Sequence, residues 1–252
     1  MRLQHRRRIV LTALAVAAWC AGCSAPAQPS PVPTIPARTT ETPAPTQSPT
    51  AVPNSPTPEA TLAPLRAFTE EFDAIPAHWS FLQINNGPSF AGPSSRDGFL
   101  VFDLPSSNEW AYALYDGQVY TDVTVETEAQ DRSGGDGAVG LVCRYDEKLG
   151  WYELNIFSDQ TYELLFAQWL APGLARYTPL FRGHSDAIQV GSNRIGLQCQ
   201  GTLLTPVING IPAQGRQETQ YGLQQGKVGL TVSSFQDAPF TIAFDWVKVD
   251  EP

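Results

Sequence analysis

From Gly137 to Phe166 the chain reads GAVGLVCRYDEKLGWYELNIFSDQTYELLF, three runs rich in apolar, aromatic and β-branched residues separated by the polar clusters DEKLG and SDQ. Each run has the length of one strand and each cluster the composition of a hairpin turn, so the stretch predicts a three-stranded meander. Successive strand side chains point to opposite faces. Val139, Leu141, Cys143 and Tyr145 therefore share one face of the first strand, and Tyr152, Leu154 and Ile156 one face of the second. Arg144, Trp151, Glu153 and Asn155 fall on the other face, which mixes an aromatic ring with polar groups. A sheet with one apolar face packs it on another layer, and a second sheet is the expected partner.

The same kind of pattern runs through residues 65–252. AFTEEFD, GFLVFDL, EWAYALY and VYTDVTVETEA precede the meander as strand-like runs, and NRIGLQCQG, LLTPVI, KVGLTVSS and FTIAFDWVKV follow it. Gly and Asn turn signals recur at short intervals and no stretch sustains a helical period, which predicts one all-β sandwich domain. In VINGIP, Asn209-Gly210 between apolar runs predicts a type I′ hairpin, since both central residues need positive φ. VSSFQDAPFTIAF supplies a longer connection between the last two strands.

Residues 1–22 have the pattern of an export signal: Arg2, Arg6, Arg7 and Arg8 precede an apolar run too short to span a bilayer comfortably. Ala21 and Gly22 before Cys23, with Ser24 after it, resemble the lipobox of bacterial lipoproteins, which implies a diacylated Cys23 at the start of the mature chain. Cys20 stands where the lipobox usually has a leucine-like residue, and the alternative is an ordinary secretory signal cleaved near Ala25. Residues 23–64 are dominated by Pro, Thr, Ser and Ala and hold over half of the chain's 22 prolines. Such a composition cannot bury enough surface to offset ordering entropy, so a disordered, extended linker is expected. At ~3 Å per residue it would reach on the order of 100 Å from the membrane. The precursor carries a formal charge of −9, and loss of a signal with four arginines and no acid leaves −13. An acidic exported domain argues against a nucleic-acid partner and against an electrostatic membrane patch, leaving the lipid as the means of attachment.

Two cysteines lie in the domain of residues 65–252, Cys143 and Cys199, each in a strand run. In an exported chain an even pair reads first as a disulfide, with two unpaired buried thiols as the alternative. His78 and His184 have no cysteine or second histidine at ligand spacing, so no metal site is expected from them.

FTEEFD followed by HWS, then YTDVTVETEA, GLVCRYD, WYELNI with QTYELL, RIGLQCQG, VINGIP, GKVGL and FDWVKV together resemble the concanavalin A-like lectin/glucanase superfamily, in the pattern of laminin-G-like and family-16-glucanase-like domains on bacterial surface lipoproteins. The resemblance implies a jelly roll of two antiparallel sheets, one concave, with glycan bound on the concave side. It also implies pairing of Cys143 with Cys199, and calcium at a sandwich edge in several relatives, although no oxygen-rich loop here names ligands for it. Fold does not fix function, and three classes stay open.

For catalysis, VETEAQD keeps the spacing of the glucanase E-x-D-x-x-E strand, which would assign roles to Glu126, Glu128 and Asp131 with the acid types exchanged at the last two. A retaining glycosidase needs two carboxyl groups about 5–5.5 Å apart. Plain alternation accounts for the same acids as the polar side of a strand whose other side is Val123, Val125, Thr127 and Ala129. A keto-disaccharide-hydrolase-like activity is a further alternative without assignable residues. For binding, Arg144, Trp151, Glu153 and Asn155 combine an aromatic ring with hydrogen-bonding groups, which suits sugar rings with apolar faces and polar edges. Each residue singly also fits ordinary packing, Trp151 beneath a loop included. Trp110 and Trp169 have apolar neighbours on both sides and receive no face, while Trp79 and Trp246 fit core or sheet-edge packing. The third class is a protein-interaction or structural envelope module. The sequence is thus read as an exported, lipid-anchored cell-surface protein with a non-catalytic carbohydrate-binding jelly roll, needing no cofactor, whose partner is a polysaccharide or, alternatively, a surface protein.

Overall fold

The computed structural model describes residues 66–84, 92–236 and 238–252. The expectations for the signal, for Cys23 and for the linker fall outside these residues. The described strands are, in chain order, β1 (Phe68–Glu70), β2 (Trp79–Ile84), β3 (Ser94–Arg96), β4 (Phe99–Leu104), β5 (Glu109–Tyr115) and β6 (Val123–Asp131). The meander supplies β7 (Gly137–Asp146), β8 (Gly150–Phe157) and β9 (Thr161–Ala171), and β10 (Leu174–His184) extends it by one strand. β11 (Ser192–Gln200), β12 (Leu203–Ile208), β13 (Ile211–Pro212), β14 (Arg216–Gln217), β15 (Lys227–Ser234) and β16 (Phe240–Asp250) complete the domain.

These strands form two antiparallel sheets. One runs β10-β9-β8-β7-β15-β5-β2, and the other β13-β12-β11-β6-β16-β4-β3, with β1 alongside β16 and β14 alongside β12. The alternating pattern explains the stacking. In β6, Val123, Val125, Thr127 and Ala129 are buried while Thr124, Glu126, Glu128 and Gln130 are only partly covered. Leu141, Cys143, Tyr152, Leu154 and Ile156 of the meander meet them in one inter-sheet core, joined by Leu197, Leu230 and Phe244. Burial of such side chains contributes about 1.5–3 kcal/mol each. Cys143 of β7 and Cys199 of β11 are disulfide-bonded across the two sheets, Cα to Cα 6.7 Å. Asn209 and Gly210 adopt φ of 51° and 79° between β12 and β13, as the hairpin signal requires.

One expected face is corrected. β7 was expected to place Tyr145 on the side of Cys143, but its pairings with β8 and β15 shift register between these residues, and Arg144 takes φ of 53°. The extra residue of a bulge reverses the alternation beyond it. Tyr145 consequently lies on the outer side, with its ring 5.4 Å from that of Trp151.

Candidate functional site

The face of the meander sheet turned away from the inter-sheet core is itself packed. Ile84, Tyr112, Leu114, Val142, Tyr145, Trp151, Leu165 and Ala167 form a second buried cluster there, flanked by Leu82, Trp110, Trp169, Ala175 and Tyr177. Its members reach across the sheet: Tyr112 on β5 and Tyr177 on β10 place their hydroxyls 2.9 Å apart. Five strand spacings separate β5 from β10 in the sheet order, about 24 Å if the sheet were flat. The sheet therefore curls strongly, concave on its outer side, and folds β10 over that concavity.

This curl decides where the expected binding residues lie. Arg144, Trp151, Glu153 and Asn155 were expected on an accessible face; all four are buried, Trp151 and Glu153 completely. Trp151 is roofed by Trp169, with ring centroids 5.0 Å apart, and by Tyr177. Glu153 accepts hydrogen bonds on Oε2 from Trp151 Nε1 (2.8 Å) and Tyr112 Oη (3.0 Å), and on Oε1 from Asn155 Nδ2 (2.8 Å) and Thr231 Oγ1 (3.4 Å). Burial raises its pKa, and these donors offset part of that rise. Arg144 is not in this group, because the bulge turns it toward the sandwich end. There it donates to Thr121 O (3.1 Å), Leu223 O (3.0 Å) and Asp122 Oδ1 (3.4 Å), fastening the approach to β6 to the loop before β15.

The acids at the glucanase spacing do not converge. β6 pairs with β11 in unbroken register from Val123 to Gln130, so Glu126 and Asp131, five apart, belong to opposite faces. Glu126 and Glu128 lie on the outer side of the other sheet, away from the concave face. Arg194 holds Glu126 through two bonds of 2.7 and 2.6 Å, and Ser192 Oγ donates to Glu128 at 2.9 Å. Asp131 accepts from the Ser133 N–H and hydroxyl and the Gly134 N–H, closing the glycine-rich turn. All three therefore have structural partners. Among the described residues there is no group of three or more His, Cys, Asp or Glu side chains placed to hold a metal ion.

What stays open is the rim where the curled sheet nearly meets itself. A cleft of about 490 Å³ lies between Leu82 on β2, Glu147 and Lys148 of the β7–β8 turn, and Trp169, Leu170 and Pro172 of the β9–β10 hairpin. Trp169 offers a partly exposed indole to it, backed by Trp151 and by Tyr145 at 6.3 Å. Glu147 is fixed by Lys227 at 2.8 Å, a contact Lys227 shares with Asp116. An aromatic platform, a positioned carboxylate and an ammonium around an open cleft can take a ligand with apolar faces and polar edges. Alternation gives Trp169 no face; it is the β8–β9 register, which pairs Trp151 with Ala167, that puts Trp169 on the side of Trp151. Tyr177 carries no mark in the sequence either, because Arg176, Pro179 and Arg182 break the apolar alternation of β10.

No protein-family model matches the chain, and no curated protein matches it. Solved structures do. A protein of unknown function with a galectin-like fold from Bacillus subtilis matches with a TM-score of 0.55 at 13% identity, covering 75% of this chain and 97% of that one. Glycoside hydrolase family 16 endo-glucanase from Bacteroides ovatus matches with 0.53 at 10% identity, covering 73% and 99%. Carbohydrate binding module CBM66 from Bacillus subtilis matches with 0.51 at 15% identity, covering 69% and 96%. The fold is a concanavalin A-like jelly roll. Within it, the self-covered concave face and the open rim beside Trp169 are the features from which function has to be argued.

Proposed function

We propose that this domain binds carbohydrate without cleaving it, through the rim cleft beside Trp169, and that it does so outside the cell, held to the membrane by a lipid on Cys23. The observation that carries the reading is the partly exposed Trp169 indole, seated on buried aromatic rings and flanked by Glu147 and Lys148 in a cleft of sugar-accommodating size. Pyranose rings stack an apolar C–H face on such an indole while their hydroxyls reach the charged groups. Similarity of fold to a carbohydrate binding module and to a glucanase supports the ligand class. The separation of Glu126 from Asp131 favours binding over hydrolysis. The signal-like residues 1–22 and the small residues before Cys23 support the address.

The test is affinity electrophoresis and pull-down of residues 65–252 on a panel of soluble and insoluble polysaccharides, with Trp169→Ala alongside and reducing ends assayed in the same tubes. Binding that disappears in Trp169→Ala, with no new reducing ends, is the expected result. Binding that survives the substitution refutes the cleft. A second reading has its own observation: Leu149, Leu170 and Leu174 around this rim are 59, 54 and 48% exposed. Such apolar exposure favours a protein partner. Retention by no polysaccharide would transfer the cleft to that reading.

A further inference from the structure

Asn209 and Gly210, the central residues of the β12–β13 hairpin, do more than reverse the chain. Three hydrogen bonds hold the Asn209 side chain. Its Oδ1 accepts from the Arg194 N–H (2.8 Å), and its Nδ2 donates to Ala187 O (2.7 Å) and to Asn193 Oδ1 (2.9 Å). Asn193 is buried; the same Oδ1 accepts from the Gln189 N–H (2.8 Å), and its Nδ2 donates to Gln189 O (2.7 Å). The two side-chain amides thus fasten residues 185–191, which connect β10 to β11, to the hairpin turn.

This connection closes one end of the sandwich. Ile188 is 3% exposed and belongs to the inter-sheet core. Together with Gln189 it lines the narrow space where Val139 and Ile156 of one sheet part from Ala129 and Ile242 of the other. At its two ends the connection has backbone bonds, from Ser185 N to Gln160 O and from Asp131 N to Gly191 O. Between these, Ala187 O and both backbone polar groups of Gln189 are bonded to the two asparagine side chains. The Trp169 cleft lies at the other end of β10, whose eleven residues span about 33 Å, so the two features are separate.

Asn-Gly is also the dipeptide in which an asparagine amide is most open to attack by its own backbone, since glycine has no side chain to shield its nitrogen. In that reaction the Gly210 nitrogen bonds to Asn209 Cγ, the Cγ–Nδ2 bond breaks, and ammonia leaves with the backbone proton; water then opens the cyclic imide to aspartate or isoaspartate. We propose that Asn209 is a site of this modification and the latch of the sandwich end: its intact bonds hold the attack back, and its conversion releases residues 185–191. Ring closure draws Cγ onto the Gly210 nitrogen and expels Nδ2, so the bonds to Arg194, Ala187 and Asn193 have to be given up. Each slows the reaction roughly two- to tenfold. A carboxylate at this position has no N–H to give, so it leaves Ala187 O without its donor and sets an anion against Asn193 Oδ1. Asn193 cannot turn its own amide toward that anion without giving up both bonds to Gln189. Isoaspartate also lengthens the backbone by a methylene, which the two-residue turn does not accommodate.

The test incubates the purified protein at mildly alkaline pH and reads conversion at Asn209 by peptide mapping and mass spectrometry. Folded wild type is expected to convert at least about tenfold more slowly than the same chain unfolded in guanidinium chloride, and Asn193→Ala at least about threefold faster than folded wild type. Asn209→Asp, and the converted fraction of wild type separated by ion exchange, are then compared with fresh wild type by amide hydrogen exchange. The Ile188 and Gln189 amides are expected to exchange about tenfold faster in both, with those of β7 and β8 unchanged. Far-UV circular dichroism establishes that each variant is folded; should Asn209→Asp not fold, the converted wild type decides. Conversion as fast in the folded as in the unfolded chain overturns the hold on the amide, and Asn193→Ala converting no faster than wild type overturns it equally. Unchanged exchange at Ile188 and Gln189 overturns the release. Exchange that rises throughout the domain overturns it too, since Asn209 would then be a general support and not a latch.

Discussion

Replacing Trp151 by alanine tests whether this ring is a support or a contact. The indole is wholly buried and packs against Tyr112, Tyr145, Trp169 and Tyr177. Truncating a buried Trp to Ala costs about 3–5 kcal/mol through lost transfer energy and the cavity left behind. Loss of the Nε1–H donor to Glu153 Oε2 adds about 1–3 kcal/mol, because a buried carboxylate is left short of a partner. The combined loss of about 4–8 kcal/mol is comparable with the 5–15 kcal/mol that holds a domain folded. Trp151→Phe keeps most of the packing and loses the donor, so about 2 kcal/mol is expected for it. Trp169→Ala, at the partly exposed rim, is expected to cost about 1 kcal/mol while removing the binding platform. Urea unfolding followed by far-UV circular dichroism gives all three, with the slope checking that each variant unfolds in the same cooperative step. The reasoning is refuted if Trp151→Ala lies within about 1 kcal/mol of wild type, or costs less than Trp169→Ala.

Two carboxylates predict opposite pH dependences. Burial keeps the Glu153 pKa above its ordinary value of 4.5, so the native state holds a proton the unfolded chain has lost, and this group's stabilisation falls as pH rises from 4.5 through the native value. Glu153→Gln should flatten that fall. For Glu218, burial acts upward, but the Tyr152 hydroxyl and the N–H groups of Tyr221, Gln220 and Gly222 hold the pKa below 4.5, so its stabilisation is lost as pH drops from 4.5 through the native value. Glu218→Gln should remove that acid-side loss; urea midpoints from pH 3 to 8 check both. Reducing the Cys143–Cys199 bridge, which spans 56 residues, should cost about 4 kcal/mol by chain entropy, read as a lower urea midpoint with dithiothreitol. Arg144→Ala should cost about 3 kcal/mol, since it strips the buried donor from Leu223 O and Thr121 O. Arg144→Lys should recover only part of this in the same assay, because one ammonium cannot present the guanidinium's fork of donors.

The sandwich was legible because its signals are local. Alternation in β6 and in the meander, the Asn209-Gly210 turn and an even pair of strand cysteines each specify a face, a reversal or a bridge without knowledge of distant residues. The site was less legible, for two physical reasons. Alternation fails at a bulge, and the Arg144 backbone supplies no sequence mark that a non-glycine residue will take positive φ there. It also gives no sign of sheet curvature. LARYTPLFRGH interrupts its apolar residues with Arg176, Pro179 and Arg182, as befits an outer strand, and so did not read as a strand. Without β10 in place, nothing covers Trp151 and Glu153, and a polar-aromatic face looks solvent-exposed when it is the floor of a second core.

The composition of that floor bears on why it is covered. A face meant only to be packed would favour apolar side chains, since a buried carboxylate without a cationic partner is costly to hold even with four donors. Here Glu153, Asn155, Thr231 and Ser233 are all buried on the side of the sheet that carries Tyr112 and Trp151, and among the described residues the donors to the carboxylate are Trp151, Tyr112, Asn155 and Thr231, none of them basic. The donors on Glu153 orient Trp151, Tyr112 and Asn155 at once, so the carboxylate fixes the positions of two aromatic platforms and an amide. Trp151 in turn supports Trp169 at the open rim. The same buried group thus sets the geometry of the accessible cleft and of the covered face, and a substitution there should disturb both together, whereas Trp169 can be altered by itself.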